Sequence, residues 1–494
     1  MKPERDPDLA ARVAEATELL EALHADRGLL AGVDRGERER FLVAAGRVAR
    51  PGPGEKRALT RAFRRQRREA TKAADARVLD QTGIRALRRA PVFATPQLEA
   101  PVAGGAELPD DPAPAPDTDQ VIDPRVCYVC KARFHDLHHF YDQMCPACAA
   151  LNWDKRNQSA DLSGRVALLT GARVKIGYQG AVKLLRAGAH VVVTTRFPRD
   201  AATRYAGEPD AADWSGRLEI HGLDLRHTPS VEAFARHLAE SLPRLDLILN
   251  NACQTVRRPP GYYAHLMEGE RRPLLSMAES ARALLANFDA MAASHDSAAL
   301  SQVALLPEDL ERSARLFPTG RLDADLQQVD LRARNSWRLA LDEVSAVELL
   351  EVQLVNAVAP FILNSRLKAL MLRQPSPDKH IVNVSAMEGQ FYRRWKTDKH
   401  PHTNMAKAAI NMMTRTSAAD YVRDGIHMNS VDTGWVTDED PASLAVRKTE
   451  VHGFHPPLDV VDGAARICDP IFSGFLTGQH RWGLFFKDYA PTDW

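Results

Sequence analysis

The apolar run Val166–Leu169 in GRVALLTG gives way to a glycine-containing turn, after which Ala181, Leu184 and Leu185 share one face of a helix. AHVVVTTR, RLEIHGLDL and LDLILNNA read as further buried strands, with a helix from about Ser230 to Ser241 between the last two. From Leu162 onward strand and helix patterns alternate, which predicts an α/β fold built on a doubly wound parallel sheet. Between Cys253 and about Ser345 the alternation stops. There RRPPGYYAHLMEGERR reads as a loop, and SMAESARALLANFDAMAA and LPEDLERSARLF read as helices whose apolar face packs on something. The tail after Val460 reads as a helix, a turn and a final strand.

Upstream of the sheet, residues 1–90 form a helical, basic region. Leu9, Val13, Leu19, Leu20, Leu23, Leu29 and Leu30 recur at loosely helical spacing, and Arg61, Arg64, Arg65, Arg67 and Arg68 crowd one stretch. A basic helix can track phosphates or an acidic partner, although a solvated face or a self-association arm explains it as well. Residues 91–125, rich in Pro, Ala, Gly and Asp, cannot bury enough apolar surface to fold alone and read as a linker. Residues 126–155 form a small module, and residues 161–494 form the sheet domain with its insertion at about 254–345.

The chain of 494 residues has a net charge of +1, so it is no polyelectrolyte, and its length allows two or three domains. With no continuous apolar run of about 18 residues and no apolar signal core, no membrane span is expected and a soluble, cytoplasmic protein is the default. Homo-oligomerisation stays open. Of six cysteines, Cys127 and Cys130 form one C-x-x-C, and Cys145 and Cys148 a second. Two such pairs can place four thiolates tetrahedrally around a structural Zn²⁺ with no open position for substrate. So short a segment needs the metal to fold. His135, His138 and His139 lie between the pairs, and one of them could replace a cysteine. The segment resembles a zinc ribbon or treble-clef knuckle, which in many proteins docks protein or nucleic acid. Cys253 and Cys468 read as buried thiols.

In LLTGARVKIGYQG, the strand–turn–helix order offers free backbone N–H groups and the positive end of a helix to a pyrophosphate. Thr170, Gly171, Arg173, Lys175, Ile176 and Gly177 carry this turn, with Lys175 where a third glycine is usual. The next strand ends in Arg196, where an arginine accommodates a 2′-phosphate and an acid would favour NAD. Asp224 follows the third strand, where its carboxylate could accept from an adenine amino group. Thr170-Gly171 with Gly177, Asp224-Leu225, Asn250-Asn251-Ala252, Asn356, IVNVSA at 381–386, MAK at 405–407 and MNSVDTG at 428–434 resemble, in order and spacing, the short-chain dehydrogenase/reductase family. The resemblance runs from about Ser163 to Trp494.

It implies a Rossmann-type sheet, a nicotinamide cofactor and hydride transfer to or from a carbonyl, an alcohol or an activated double bond of a small molecule. With Arg173, Lys175 and Arg196 together, NADP(H) is preferred over NAD(H). In the family a tyrosine four residues before the lysine donates a proton, the lysine lowers that tyrosine's pKa, and a serine orients the carbonyl. Lys407 matches the lysine, but the tyrosine position is Thr403. The usual second serine is Ala386, with Ser385 one residue earlier. Tyr392 and His402 are the nearby candidates for a relocated proton donor. Asn356 fits the asparagine that holds a water near the lysine through its helix backbone. Thr433, Gly434 and Thr437 belong to the loop that, in the family, folds over the nicotinamide amide. The alternative is an SDR-like NADPH-binding scaffold or sensor without turnover, which binds a protein or nucleic acid through its zinc knuckle and basic helices.

Overall fold

The computed structural model describes residues 8–89, 120–285, 296–323, 327–392, 396–452 and 455–494. The contacts divide the chain into two units, Met1–Ala76 and Arg77–Trp494. The first unit is helical, with helices Leu9–Ala25 and Arg35–Ala49 and most of Pro53–Leu79. Asp34 starts the second helix by accepting from the backbone N–H groups of Gly36 and Glu37. Leu9, Val13, Leu19, Leu20, Leu42 and Phe63 stay exposed. The expected linker falls mostly outside the described residues, and its last residues belong to strand β1 (Gln120–Val126), which pairs antiparallel with β2 (Arg133–Asp136).

The second unit carries the sheet. Its strands are β3 (Val166–Thr170), β4 (His190–Thr195), β5 (Leu218–Gly222), β6 (Leu247–Asn250), β7 (Lys379–Ser385), β8 (Ile426–Asp432), β9 (Phe485–Lys487) and β10 (Ala490–Thr492). They lie in the order β10-β9-β8-β7-β6-β3-β4-β5. All neighbours are parallel except β10, which pairs antiparallel with β9. The expected α/β, doubly wound parallel sheet is therefore present. Because side chains alternate along a strand, Ala167 and Leu169 join one core with helices Lys175–Arg186 and Val460–Thr477. Val166 and Leu168 join the opposite core with helices Thr228–Ser241 and Ala359–Met371. The first strand thus holds both layers together.

The insertion departs from expectation. Among the described residues the insertion contains a 3-10 turn Pro260–Tyr263, a helix Ala264–Arg271 and short helical pieces beyond, while residues 286–293 of the expected helix SMAESARALLANFDAMAA lie outside the described residues. In LPEDLERSARLF the helix stops after one turn at Leu310. Asp309 lies within that turn, its carboxylate accepting from the backbone N–H groups of Leu305 and Leu306 and from both ends of the Arg257 guanidinium. The run Ala346–Met371 also has the length and apolar composition of a membrane span. Glu348 and Glu351 hide it from a search for uninterrupted apolar runs. Its residues Ala359, Leu363, Leu367 and Met371 are buried in the second core layer.

Candidate nucleotide and catalytic site

A parallel sheet gathers its loops at the carboxyl ends of the strands, and here they enclose a cleft of ≈ 960 Å³. Its floor is the turn after β3. Gly171 has φ +71°, and a Cβ there would stand 2.7 Å from the Ala252 Cα. At Gly177 a Cβ would stand 2.3 Å from the Gly171 carbonyl oxygen and 2.4 Å from the Asn251 side-chain nitrogen. Both positions therefore require glycine. Lys175, at the third glycine position, takes φ 57°, a left-handed conformation that costs a residue with a Cβ about 1–2 kcal/mol. Asn251 braces the turn by donating to the carbonyls of Thr170 and Gly171, while Thr170 Oγ1 accepts from the Ala252 N–H. Ile176 packs behind the turn against the Gly463 backbone position and into the apolar core.

The arginines stand at the β4 end. Arg196 lines the cleft, donates to Tyr263 Oη at 2.7 Å and lies over that ring at 4.6 Å. Burial would raise the Tyr263 phenol, but neighbouring Arg196 outweighs it and the pKa falls below its ordinary value. Arg173 is ion-paired with Asp200 at 2.8 Å. Lys175 faces Glu439, where burial would raise the carboxyl but Lys175 and Arg258 hold it down. Asp224 and Leu225 line the cleft. The Asp224 carboxylate already accepts from the Arg226 guanidinium at 2.6 Å, so an adenine amino group would have to share it.

At the other end Ser385, Thr403, Lys407, Thr433, Gly434 and Thr437 all line the cleft. Lys407 Nζ donates to the Val384 carbonyl at 2.8 Å. The Thr403 hydroxyl is buried and has no partner, which leaves it available to a bound molecule. Thr437 donates to Glu439 at 2.6 Å. Asn356 sits in a π-helical turn, Leu354–Val358, of a kind often found at functional sites. Its side chain accepts from the Gln254 N–H and donates to the Gln254 carbonyl, fixing the chain after β6.

Five cofactor and catalytic candidates are not among the lining residues: Thr170 and Asn356, which brace the chain after β6, and Tyr392, His402 and Asn250. Tyr392 is 92% exposed and does not line the cleft, because its segment runs out over the surface. His402 is buried off the cleft, with Nε2 3.5 Å from Glu348 Oε1. Asn250 points under the sheet, donating to Asn364 and Asn383, since it alternates with the cleft-facing Asn251. The residue missed in the sequence is Asp432, which ends β8 beside Ser385, its Cα partner on β7. It lines the cleft, is buried, and accepts from the Met387 N–H at 3.2 Å. Burial pushes its carboxyl up to about 6, with Lys487 opposing and Glu388 and Asp488 reinforcing. The signal was its position immediately before Thr433-Gly434.

The four cysteines come together, with their sulfurs all within 4.8 Å of one another. A tetrahedral thiolate site with Zn–S near 2.3 Å has sulfur–sulfur edges of about 3.8 Å, and Cys130 and Cys145 are 3.7 Å apart. Burial and the neighbouring sulfurs push Cys148 upward, a repulsion that a bound cation would relieve. The donor set fits zinc. The histidines stay outside it: His135 Nδ1 meets the Val121 carbonyl at 2.9 Å, and His138 Nδ1 accepts from the Phe140 N–H.

Residues 165–268 match the family model described as short chain dehydrogenase, and residues 279–452 the model described as Enoyl-(Acyl carrier protein) reductase. A protein of Acanthamoeba polyphaga mimivirus, Uncharacterized protein R665, is 29% identical over 364 residues, 70% of this chain and 71% of its own length. Dehydrogenase/reductase SDR family member 13 of Bos taurus is 40% identical over 109 residues, 20% of this chain and 27% of that protein. Retinol dehydrogenase 14 of Mus musculus is 37% identical over 103 residues, 18% of this chain and 30% of that protein. The match thus spans less than a third of either dehydrogenase relative. Among solved structures, the Pseudomonas aeruginosa RhlG/NADP complex superposes with a TM-score of 0.42 at 18% identity, over 66% of this chain and 95% of that one.

Proposed function

The α/β domain belongs to the short-chain dehydrogenase/reductase family, and from that premise we propose that the protein is an NADP(H)-dependent oxidoreductase. Its substrate class is a small molecule with a carbonyl, an alcohol or an activated double bond. The observation that carries this reading is one continuous cleft joining Arg196, the Gly171–Gly177 turn, Ser385, Lys407 and Asp432. Arg196 directly follows β4, where a carboxylate would read a free 2′-hydroxyl, so a 2′-phosphate is the better partner. The helix Lys175–Arg186 turns its N-terminus toward the pyrophosphate position. Thr433, Gly434 and Thr437 are the groups offered to the nicotinamide amide. When bound, the nicotinamide supplies or accepts the hydride.

The chain's own residues handle the proton and the orientation. Thr403 cannot replace a phenol as an acid, since a hydroxyl is far less acidic. Asp432 can, because a carboxyl brought up to about 6 exists in both protonation states near neutrality. Protonated, it gives its proton to the developing alkoxide of a reduced carbonyl; ionised, it takes the proton of an alcohol being oxidised. Ser385 and the unpartnered Thr403 hydroxyl are the groups to orient that oxygen. Lys407, fixed on the Val384 carbonyl, places a positive charge beside the ribose position. Four thiolates from Cys127, Cys130, Cys145 and Cys148 would hold a structural Zn²⁺.

The test follows NADPH consumption across a panel of aldehydes, ketones and enones, with wild type and Asp432→Asn side by side. The expected result is turnover that falls about a hundredfold or more in the variant, with NADPH binding retained. Thr403 and Ala386 at the family's catalytic positions favour the scaffold reading instead. Tight NADPH binding without turnover of any compound would support it.

A further inference from the structure

The four-cysteine segment forms one wall of the cleft. Between its first two cysteines stands Tyr128, which lines the cleft together with Lys131. The turn that presents them is tight: Cys127 N–H donates to the Ala132 carbonyl at 2.8 Å, Lys131 N–H to the Cys127 carbonyl at 3.1 Å, and Lys131 takes φ 64°. Tyr128 Oη accepts from the Trp435 N–H at 3.0 Å. It also lies so near Gly434 that a Cβ there would be 3.1 Å away. The second pair of cysteines is tied in as well. Tyr128 N–H donates to the Gln143 carbonyl, and Gln143 donates to the His455 carbonyl at 2.6 Å.

Apolar packing continues the grip. Val436 and Leu458, on either side of the loop after β8, share a core with Cys127, Phe140, Tyr141 and Met144. The base of that loop is anchored by the Arg156 ion pairs to Asp459 at 2.7 Å and Asp462 at 3.0 Å. Asp462 also accepts from Tyr141 Oη at 2.5 Å. The loop carrying Thr433, Gly434 and Thr437 therefore rests on the cysteine segment rather than on solvent.

We propose that the metal-organised knuckle is a working part of the nucleotide site: Tyr128 holds the Thr433–Thr437 loop in its binding position, so metal occupancy and nucleotide affinity are coupled. The inference rests on the proposed NADP(H) reading. Without a cation no common centre joins the two cysteine pairs, and the turn loses that constraint. Tyr128 then no longer meets the Trp435 N–H, and the loop is released. Coupling between two sites is reciprocal, so NADPH must tighten zinc by the factor by which zinc tightens NADPH. Tyr128 is a positioning residue, since it acts through the loop.

The full-length, zinc-loaded protein is titrated with NADPH calorimetrically, and zinc affinity is measured by competition with a chromophoric chelator with and without saturating NADPH. Wild type should hold zinc about tenfold more tightly with NADPH present. Tyr128→Phe, which keeps all four cysteines, should bind zinc as wild type does, bind NADPH about three- to tenfold more weakly, and lose most of the coupling. A merely structural tyrosine would not move the effect of NADPH on zinc affinity. If wild type binds NADPH but zinc affinity is the same with and without it, the coupling is refuted and the cofactor reading stands. If zinc-loaded wild type binds no NADPH, the cofactor reading itself falls, and this inference with it.

Discussion

Asp432→Asn should make the protein more stable at alkaline pH while making it a poorer catalyst. Asp432 is 5% exposed, and burial moves its carboxyl from 3.8 to about 6. A rise of roughly two units corresponds to about 3 kcal/mol of unfavourable interaction for the ionised form. The folded value lies above the unfolded one, so this contribution to stability is fully present below the unfolded value of 3.8 and is lost as pH rises through about 6. Asparagine keeps an oxygen to accept from the Met387 N–H and carries no charge. The variant should therefore gain about 3 kcal/mol over wild type near pH 8, about half of that near pH 5, and little below pH 4. Urea denaturation of both proteins at two pH values measures the difference directly. An advantage that is as large at pH 5 as at pH 8, or a variant less stable than wild type at pH 8, would refute the reasoning about this carboxyl.

Other substitutions probe the remaining parts of the site. Gly177→Ala forces a Cβ to within 2.3 Å of the Gly171 carbonyl oxygen; it should cost about 1–3 kcal/mol in thermal unfolding and weaken NADPH binding in calorimetry. Asn356→Ala leaves the Gln254 N–H and carbonyl without their partner, and should destabilise by about 1–3 kcal/mol with turnover falling in parallel. Tyr392→Phe removes a hydroxyl that projects into solvent, and should leave NADPH binding and turnover unchanged in the same assays.

Apolar runs made the sheet legible because each of its central strands is buried on both faces, which demands near-continuous hydrophobic sequence. The turn after β3 was legible because a close approach of backbone to backbone admits only glycine at Gly171 and Gly177. The cysteine cluster was legible from its spacing alone. Asn250 misled because its neighbour Asn251 carries the same chemistry to the opposite face, and only strand register separates the two. Tyr392 and His402 misled because nearness in sequence to Lys407 says nothing about which way a surface segment or a helix face turns. Asp432 and Tyr128 were hidden for the opposite reason. Asp432 matters through burial beside Ser385, and Tyr128 through contact with Trp435, some 300 positions away. In the insertion, LPEDLERSARLF forms a single turn among the described residues, and its Asp309 pairs with Arg257, some 50 positions away, a contact that no local pattern announces.

The central claim is that this cleft takes a nicotinamide dinucleotide by its 2′-phosphate at Arg196. A calorimetric titration of the zinc-loaded protein with NADPH and with NADH, repeated on Arg196→Met, tests it most directly. The account predicts that NADPH binds at least about tenfold more tightly than NADH, and that Arg196→Met removes most of that preference while leaving NADH affinity nearly unchanged. Equal affinity for the two nucleotides, or a preference that survives the loss of Arg196, would contradict it.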